Sequence, residues 1–595
     1  MIENMETKVC ANCGTKFEVS SQASAFQAKI GVPSPTFCRD CRVARRMAFR
    51  NERVLYKKKC DAPGHDEMIV SVFATESKQR TYDHAAWWGD AWDPLDYGRD
   101  IDFTKPFLQQ IRELWPEVPD VSVLNINPVN SDYCNITEGN KNCYLVYGGD
   151  FNENTSYSTY IFRSKESLDT YWIQNSEFNY ETIDCTEGSK LLWSRYCEGC
   201  YNSAFLFNCR HCHDCFGCAN LVNKSYCFFN EQLTKEEYEK RIKEFDLSSH
   251  EGVERARARF AEHSLKYPRR FARMIKAVNS TGDNIENCRN CERCFDVFQG
   301  AENCSDVFLV YSNVKDSIDA DHCGQASELA YESSAVYPGS RVLFSRFIFN
   351  ANNIQYSYNC HNSNDLFGCI GIRNKQYCIL NRQYSKEEYE GLVPKIIRHM
   401  KEMPYIDSRG IKYGYGEFFP VEFSPFAYNE TIAQEMYPIS QGQAEQYGLP
   451  WRAPEEKGYA PTKHANELPD RIADVDDSIL KEIIECSHGG NCNDQCTRAF
   501  RIIPSELAFY RHLGIPLPRL CPMCRHFERV RRRNPYRLWH RKCQCAGAAT
   551  ERGDYKNLGM HAHGQAHCAN EFETSYDPKR PEAVYCEECY QQEVM

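Results

Sequence analysis

The chain has no long apolar run. No stretch of 18 apolar residues occurs among its 595 residues, which excludes a membrane-spanning helix by sequence pattern. Its first residues, MIENMETKVCANC, also lack the basic segment and apolar core of a secretory leader. We therefore expect a cytoplasmic protein with reduced thiols and no membrane partner.

Sequence signatures of common enzyme classes are also missing. The chain contains no G-x4-G-K-[ST] phosphate loop, no G-x-G-x-x-G after a strand, no G-x-S-x-G elbow and no H-E-x-x-H helix. The run Asp319–Cys323, DADHC, could supply a carboxylate, an imidazole and a thiol, but such short clusters are common by chance. The sequence therefore favours a protein that is not an enzyme.

Cysteine, in contrast, is abundant. The chain has 33 cysteines, and many form C-x2-C pairs, which suit a metal ion better than a disulfide. Near the N-terminus, two such pairs are separated by 24 residues, as in two knuckles that close a tetrahedral thiolate site. Four thiolates with no open position favour zinc in a structural role. The predicted ligands of this first site are Cys10, Cys13, Cys38 and Cys41.

The two ends of the chain are copies of one module. With a constant offset of 483 residues, the segment Cys38–Cys60 aligns with Cys521–Cys543. The second copy therefore predicts a second zinc site, for which Cys486 and His488 are less favoured ligands. The predicted ligands of this second site are Cys492, Cys496, Cys521 and Cys524.

The C-terminal copy continues with enough cysteines and histidines for a third site, giving about three zinc ions in all. Cys543 and Cys545 compete for one of its ligand positions. The predicted ligands are Cys545, Cys568, Cys586 and Cys589. In the first copy, Asp83 and Ala86 align with Cys586 and Cys589. We therefore expect the first copy to lack this metal and Cys60 to be an unpaired or packing residue.

The middle of the chain is duplicated as well, at an offset of 151 residues: GSKLLWSRYCEG from Gly188 matches GSRVLFSRFIFN from Gly339. Short aromatic and β-branched runs recur every ten to fourteen residues, which indicates many short strands in a β-solenoid or a sandwich. We favour the solenoid because Asn-Cys pairs recur. In stacked turns, asparagines would form amide ladders and cysteines would fill the core.

Two segments carry cysteine at every third position, a spacing that suggests an iron–sulfur cluster or an extra zinc ion. However, Ser363 and Leu366 of the second middle copy align with two cysteines of the first run. A position that accepts leucine suits a packed core, so we predict a packing role and disfavour a cluster. The two runs are Cys209, Cys212, Cys215 and Cys218, and Cys288, Cys291 and Cys294.

These repeats predict a mainly β protein with helical insertions (α+β), in which a duplicated β-solenoid-like middle is flanked by two homologous zinc-ribbon domains. Capping signals predict helices that open at Thr234 and Ser385, and a further helix is expected over Val253–Val278, bent at Pro268. The predicted domains are an N-terminal zinc ribbon with a Trp- and Asp-rich extension (1–118), a first solenoid repeat (119–231), a helical insertion (232–279), a second solenoid repeat (280–382), a helix with an irregular connector (383–469) and a C-terminal double zinc ribbon (470–595).

Each ribbon carries a basic segment, although the net charge of the protein is −11. Cys38–Cys60 holds nine Lys and Arg residues against two acids, and Cys521–Cys543 holds eight against one. On a helix these arginines share one face, and guanidinium groups suit phosphate. The predicted nucleic-acid contacts are Arg42, Arg46, Arg50, Lys58, Lys59, Arg525, Arg529, Arg533, Arg541 and Lys542. The alternative is that these helices dock on acidic surfaces of the same chain or of a protein partner.

Four segments, RNERVLYKKKCD, WWGDAWDPLDYGRDIDF, NKQYCILNRQYSKEEYE and FETSYDPKRPEAVYCEECYQQEV, carry a family resemblance. The chain resembles uncharacterised zinc-ribbon proteins of candidate-phylum bacteria with small genomes, over nearly its whole length. That resemblance implies no activity. Members often carry a label as family III CoA-transferases of the CaiB/BaiF type, but those are α/β enzymes with a catalytic aspartate, and ribbons with short strands do not fit that label.

Together these features predict a non-enzymatic zinc-binding protein that holds RNA, or a ribonucleoprotein such as the ribosome, through its two basic ribbons. Two anion-binding heads on one spacer would gain by effective concentration if both engage. The alternative is a scaffold that binds another protein through its solenoid face. A weaker alternative is an enzyme with its site in the solenoid groove.

Overall fold

The middle of the chain folds into two β-solenoids, as the duplicated strand pattern predicts. The computed structural model describes residues 6–453 and 460–594, so parts of the predicted connector (454–459) and of both ribbon domains (1–5 and 595) lie outside the described residues. In the first solenoid, successive turns pair in parallel between residues twelve apart, as in Thr159↔Tyr171 and Tyr171↔Ile183. Its strands are Asn125–Ile126, Asn135–Glu138, Tyr147–Asp150, Thr159–Phe162, Tyr171–Gln174, Ile183–Thr186, Ser189–Leu192, Tyr201–Ala204 and the closing antiparallel pair Cys227–Phe228 and Glu231–Gln232.

The second solenoid contains some longer turns. Its residues pair thirteen apart in Phe295↔Phe308 and twelve apart in Ser334↔Arg346. Its strands are Met274–Ile275, Gly282–Glu286, Cys288–Arg289, Cys294–Val297, Ala301–Glu302, Phe308–Val310, Val314–Lys315, Ile318–Cys323, Tyr331–Leu343, Arg346–Gln355, Tyr358–His361, Asn364–Phe367, Gln376–Ile379 and Arg382–Gln383.

A three-residue period underlies the first solenoid. Backbone φ is positive at every third residue over long stretches, for example 53° at Asn142 and 53° at Tyr157. Asparagine tolerates this left-handed conformation better than most residues. The next residue, such as Cys143, then faces the solenoid interior, where it is 2% exposed. An Asn-Cys pair is therefore a left-handed corner followed by a core residue.

The predicted amide ladders are confirmed. Asn130 Nδ2 donates to Asn142 Oδ1 at 3.1 Å, and Asn142 Nδ2 donates to Asn154 Oδ1 at 3.0 Å, one turn further on. The same contact joins Asn350 to Asn362 in the second solenoid, at 2.9 Å. Because each asparagine both accepts and donates along the axis, the turns are kept in register.

Helices follow each solenoid at the predicted capping signals. Capping boxes at Thr234 and Ser385 open the helices Lys235–Ile242 and Lys386–Glu402. The predicted helix over Val253–Val278 is wrong at its C-terminal end, because the observed helix His250–Leu265 stops before Pro268. The residue before a proline is disfavoured in helical conformation, and the chain continues instead as the strands Arg269–Arg270 and Met274–Ile275.

Both ribbon modules share one order of elements: a cysteine-bearing hairpin, a helix, the arginine-rich helix and a second hairpin. We name Arg39–Met47 the first arginine helix and Pro522–Arg531 the second arginine helix. The other elements of the N-terminal module are Glu6–Val9, Lys16–Val19, Ser21–Ile30, Tyr56–Lys59, Met68–Ser71, Thr81–Tyr82, His84–Trp88, Phe107–Leu114 and Asp120–Val121. Those of the C-terminal module are Ile484–Glu485, Ala499–Phe500, Pro504–Leu513, Trp539–Lys542, Glu571–Thr574, Val584–Tyr585 and Glu587–Val594.

The connector after the second solenoid is short of regular structure, as its proline and aromatic content predicts. It contains the strands Tyr405–Ile406 and Lys412–Tyr413 and the helices Ile432–Met436 and Gln441–Gln446. None of the helices within residues 6–453 and 460–594 combines the length and the apolarity needed to span a bilayer.

Each ribbon packs on the solenoid from the other half of the chain. Phe37 of the N-terminal module lies in one buried cluster with Phe344 of the second solenoid. Tyr510 of the C-terminal module lies in another with Tyr180 of the first solenoid. A central cluster joins both solenoids to the first arginine helix through Met47. The two halves are thus crossed, and each ribbon covers the solenoid that is distant in sequence.

Candidate metal centres and arginine helices

The N-terminal module brings its four predicted cysteines together. Cys10 and Cys13 lie on the hairpin loop, while Cys38 caps the first arginine helix and Cys41 lies in its first turn. The four sulfur atoms all lie within 4.8 Å of one another, a group that could hold a metal ion. A hydrogen bond from Cys41 lowers the pKa of Cys38 to about 5. A thiolate at a helix N-terminus is a ready metal ligand.

The second group differs from the prediction by one residue. Cys486 joins Cys496, Cys521 and Cys524 in a fully buried set whose sulfur atoms lie within 4.8 Å of one another. Cys492, the predicted ligand, lies beside this set, and its sulfur is 3.7 Å from that of Cys524. It belongs to a second possible group, which consists of His488, Cys492, Asp494 and Cys524.

Loop length explains the difference. The backbone N–H of Cys10 donates to Thr15 across the first hairpin, and that of Cys486 donates to Arg498 across the equivalent hairpin. Cys486 therefore occupies the place of Cys10, and the C-terminal loop holds seven more residues between its two ligands. An alignment of the two modules without gaps does not match Cys486 with Cys10. The position of Cys486 relative to its strand could have identified it as a ligand, since it directly follows the strand Ile484–Glu485 as Cys10 follows Glu6–Val9.

The third group contains Cys543 and not Cys545. Cys543 lies with Cys568, Cys586 and Cys589, and all four are buried. A hydrogen bond from Cys543 lowers the pKa of Cys586 to about 4. Cys543 directly follows the strand Trp539–Lys542, Cys568 precedes the strand Glu571–Thr574, and Cys586 and Cys589 lie at the start of the last helix, an arrangement of two facing knuckles.

Cys545 belongs instead to a neighbouring group with His561, His563 and the shared Cys589. Its sulfur lies 3.3 Å from His561 Nδ1. On the other side of that ring, Nε2 lies 2.8 Å from a carboxylate oxygen of Glu593. A carboxylate behind a histidine fixes its tautomer and ring orientation, as outer partners of metal-binding histidines do. The sequence indicated these histidines only as general candidates.

The first copy shows how the counterpart of the third group was altered. The Cys60 thiol is 3% exposed and donates to Asp83 Oδ2 at 3.4 Å. Asp83 also caps the helix His84–Trp88 by accepting from Ala86 N. The side chain that stands in the place of Cys586 therefore performs a capping role, and Cys60 is a packed, buried residue.

The runs with cysteine at every third position line the solenoid interior. Cys209 and Cys212 donate to the carbonyl oxygens of Phe207 and Arg210, two residues earlier, at 3.5 Å and 3.3 Å. The other members, Cys215, Cys218, Cys288, Cys291 and Cys294, are likewise buried. Small interior side chains that satisfy their own backbone fit the packing role that the alignment with Ser363 and Leu366 predicts.

The first arginine helix is buried against carboxylates of the second solenoid. Arg42 Nε donates to Asp319 Oδ2 at 2.8 Å, and Arg46, which is fully buried, lies 3.4 Å from Asp321. Arg50 Nη1 also donates to Asp321, at 3.0 Å. Burial disfavours the charged form, but the nearby carboxylates outweigh it and raise the pKa of Arg42.

The second arginine helix repeats this arrangement on the first solenoid. Arg525 and Arg529 share the two oxygens of Asp169, at 3.1 Å and 2.8 Å. Arg533 donates to Asp184 at 2.9 Å and also reaches Asp296 of the second solenoid at 2.8 Å. Equivalent positions of the duplicated module therefore perform the same internal docking on both solenoids.

Most of the residues predicted to contact nucleic acid are buried within the protein. Besides the six arginines, Lys58 is 5% exposed and bonded to Thr81, and Arg541 is 9% exposed. Only Lys59 and Lys542 of the ten predicted residues are exposed, and each lies within 4 Å of a nearby carboxylate. The guanidinium groups of the six arginines lie against this chain's own carboxylates, which is the alternative that the sequence left open.

Glu181 of the first solenoid forms ion pairs with arginines from two other parts of the chain. It lies 3.2 Å from Arg257 of the helical insertion and 3.0 Å from Arg532 beside the second arginine helix. Burial alone would raise the pKa of Glu181, but the two cations lower it to about 2. The carboxylate is therefore held charged by neighbours from both sides.

The Asp319–Cys323 run is divided between two roles. Its two aspartates lie against Arg42 and Arg46 of the first arginine helix. Cys323 faces the solenoid interior and donates to Asp321 O at 3.4 Å, and burial raises the pKa of its thiol. His322 points away from that interior, against Tyr160 and Tyr311 of the neighbouring strands. The three groups predicted as a possible cluster therefore do not face one another.

Comparisons with known proteins do not assign the chain. No family model matches it, and no curated protein matches it. Among solved structures, one similar chain is described as "putative acetyltransferase from Desulfovibrio desulfuricans G20", with 9% identity over 51% of this chain and 78% of that chain. Its TM-score is 0.10, so this likeness carries no argument about fold or function.

Proposed function

We propose that the protein is a non-enzymatic, zinc-stapled scaffold whose two ribbons clamp two solenoids side by side. The observation that supports this proposal is the burial of both arginine helices against carboxylates of the opposite solenoid. A ribbon whose arginines pair with carboxylates of a solenoid holds that solenoid in place, and we call this arrangement a clamp. The outer faces of the solenoids then remain as the surface for a protein partner.

Zinc is the metal we propose for the cysteine groups. Four thiolates without an open position form a closed structural site for a borderline-soft ion. We expect one ion in each of the three four-cysteine groups. Metal analysis of the purified protein should then give about three zinc ions per chain, and more if the Cys545 and His561 group is also filled.

RNA or a ribonucleoprotein remains a second hypothesis, because Lys59 and Lys542 are exposed on their hairpins. The test is RNA binding by the zinc-loaded protein across a salt series. A scaffold with internally paired arginines should show no salt-dependent RNA binding. A slope of log K against log[salt] near −0.7 for each phosphate contacted would contradict the scaffold proposal.

Double charge reversal at the exposed lysines sharpens this test. In Lys59→Glu with Lys542→Glu, the fold should be unchanged because both side chains are at least 61% exposed. If wild-type protein binds RNA and this variant does not, the ribbon hairpins are the RNA contact. If both fail to bind, the scaffold proposal stands.

A further inference from the structure

The two solenoids enclose a cleft of about 490 Å³, within the size range of small-ligand sites. The first solenoid contributes the wall that carries Asp150 and Gln174, and the second contributes the wall that carries His322 and Arg346. Exposed Phe151 and Gln325 lie at its edge, so the cleft opens to solvent. None of the described residues that line it is a cysteine, and Arg50, which binds Asp321, lines it as well.

Two buried donors on the second-solenoid wall lack acceptors. Arg346 is 3% exposed, and its Nε has no hydrogen-bond partner among the described residues. One of its Nη atoms donates to Phe49 O, and its guanidinium lies 4.1 Å from the centre of the Phe347 ring. Buried donors are normally paired. A guanidinium whose Nε–H lacks an acceptor on a cleft wall favours an anionic ligand.

His322 supplies the second donor. Arg50 Nη2 lies 3.2 Å from His322 Nε2, and because a guanidinium only donates, Nε2 must accept. Burial, together with the charges of Arg50 and Arg346, lowers the pKa of His322 well below its ordinary value, so the ring is neutral. The single ring hydrogen is therefore on Nδ1, which has no partner among the described residues.

The opposite wall carries Arg163 together with several acceptor groups. Burial raises the pKa of Asp150 to about 6, and Glu138 and Gln174 lie on the same wall. These oxygen atoms accept hydrogen bonds from hydroxyl groups. Aromatic side chains line the space between the walls, namely Phe162, Phe298, Tyr311, Tyr337, Phe347 and Phe349. Aromatic faces with amide and carboxylate acceptors suit a ring that bears hydroxyl groups.

We propose that this cleft binds a phosphorylated or acidic monosaccharide, whose oxyanion accepts hydrogen bonds from Arg346 and His322. The hydroxyl groups of the sugar ring face Asp150 and Gln174, and the ring packs on the aromatic side chains. Carboxylate and phosphate share the chemistry that the two donors recognise. This site goes beyond the scaffold role.

Isothermal titration calorimetry of the zinc-loaded protein tests this assignment with glucose 6-phosphate, glucuronate and uncharged glucose. We expect one of the two anions to bind at least about tenfold more tightly than glucose, the range for one hydrogen bond to a charged group. Tighter binding of glucose 6-phosphate identifies phosphate, and tighter binding of glucuronate identifies carboxylate. Equal binding of glucose, or no binding of either anion at about 10 mM, overturns the proposal.

Two variants test whether a loss of binding comes from the cleft itself or from a disturbed fold. Arg346→Gln should reduce anion binding at least about tenfold and leave glucose binding nearly unchanged. Because that residue is buried, Gln325→Trp is the second variant: it fills the exposed edge of the cleft and should abolish binding. Gln383→Trp, on an exposed strand at the end of the same solenoid, is its matched control. Full binding by Gln325→Trp would overturn the location.

Discussion

Arg529 is a buried cation that depends on one buried carboxylate. Its side chain is 2% exposed, and Asp169 is fully buried beside it. Each of these ions has lost its hydration, so the pair is stable only while both partners are present. The same reasoning applies to Arg42 and Asp319 on the other solenoid, where the exposed fractions are 9% and 1%.

Arg529→Met should therefore lower the free energy of unfolding by about 3–5 kcal/mol, since Asp169 keeps its buried charge with one cation fewer. Arg531→Met is the matched control, because that arginine is 53% exposed and pairs with Asp494. Its expected cost is below about 1 kcal/mol. Urea unfolding followed by circular dichroism measures both. Equal losses would contradict the clamp described for the second arginine helix.

Glu181 predicts a pH dependence of stability. Its pKa of about 2 in the folded protein is below the ordinary value of 4.5. The folded state therefore binds its proton less readily than the unfolded state. The stabilisation is present above pH 4.5 and is lost as the pH falls towards 2. Glu181→Gln should lose stability relative to wild type at pH 6, and that difference should shrink through this window.

Unfolding midpoints at a series of pH values check this expectation. Glu177→Gln, an exposed residue of the same solenoid, provides the comparison and should give a difference that is small at every pH. A constant difference for Glu181→Gln from pH 6 to 2 would mean that its carboxylate is not held charged by Arg257 and Arg532.

At the scale of single elements, the long hairpin loop of the C-terminal ribbon places Cys486 in the buried four-cysteine group and Cys492 beside that group. Cys486→Ser should remove one zinc ion per chain, because Cys486 completes the buried group with Cys521. Cys492→Ser should retain that ion. Metal analysis by mass spectrometry of both purified variants decides between them. Loss of the ion only in Cys492→Ser would restore the ligand set predicted from sequence.

The cysteine runs inside the solenoid give a second element-scale prediction. Cys212→Ser introduces the residue that Ser363 supplies in the second copy, so the interior hydrogen bond to the backbone is kept. We expect unchanged metal content and a stability change below about 1.5 kcal/mol. Loss of bound metal, or of a visible absorption band, would show that the run binds a metal after all.

The elements that local spacing determines were predictable from sequence. The recurring short strands, the amide ladders, the two capping boxes and the first cysteine group depend on residues close in sequence or on internal repetition. The choice of Cys486 was missed because it depends on where a hairpin loop closes. The partners of the arginine helices were undetermined because charge patterns alone do not identify a carboxylate far along the chain.

At the scale of the whole molecule, each ribbon packs on the solenoid that is distant in sequence. We therefore expect the order of that solenoid to depend on the ribbon. Cys13→Ser changes an exposed member of the first cysteine group, so it should release the first arginine helix without disturbing a core directly. Hydrogen exchange should then increase in the second-solenoid strands Ile318–Cys323 and Tyr331–Leu343. The first solenoid should keep its protection. Increased exchange confined to the sequence near Cys13 would contradict the crossed arrangement.

The crossed arrangement also affects how the chain can be made. Arg42 is synthesised 277 residues before Asp319, and Asp169 precedes Arg529 by 360 residues. A nascent chain therefore carries unpaired arginines first and unpaired solenoid carboxylates later. Neither half contains its own partner, so neither is expected to mature as a separate unit. Completion of the fold waits until the C-terminal ribbon has been synthesised, and a product terminated before that point would be left with exposed charges and open hydrophobic faces for quality-control proteases to recognise.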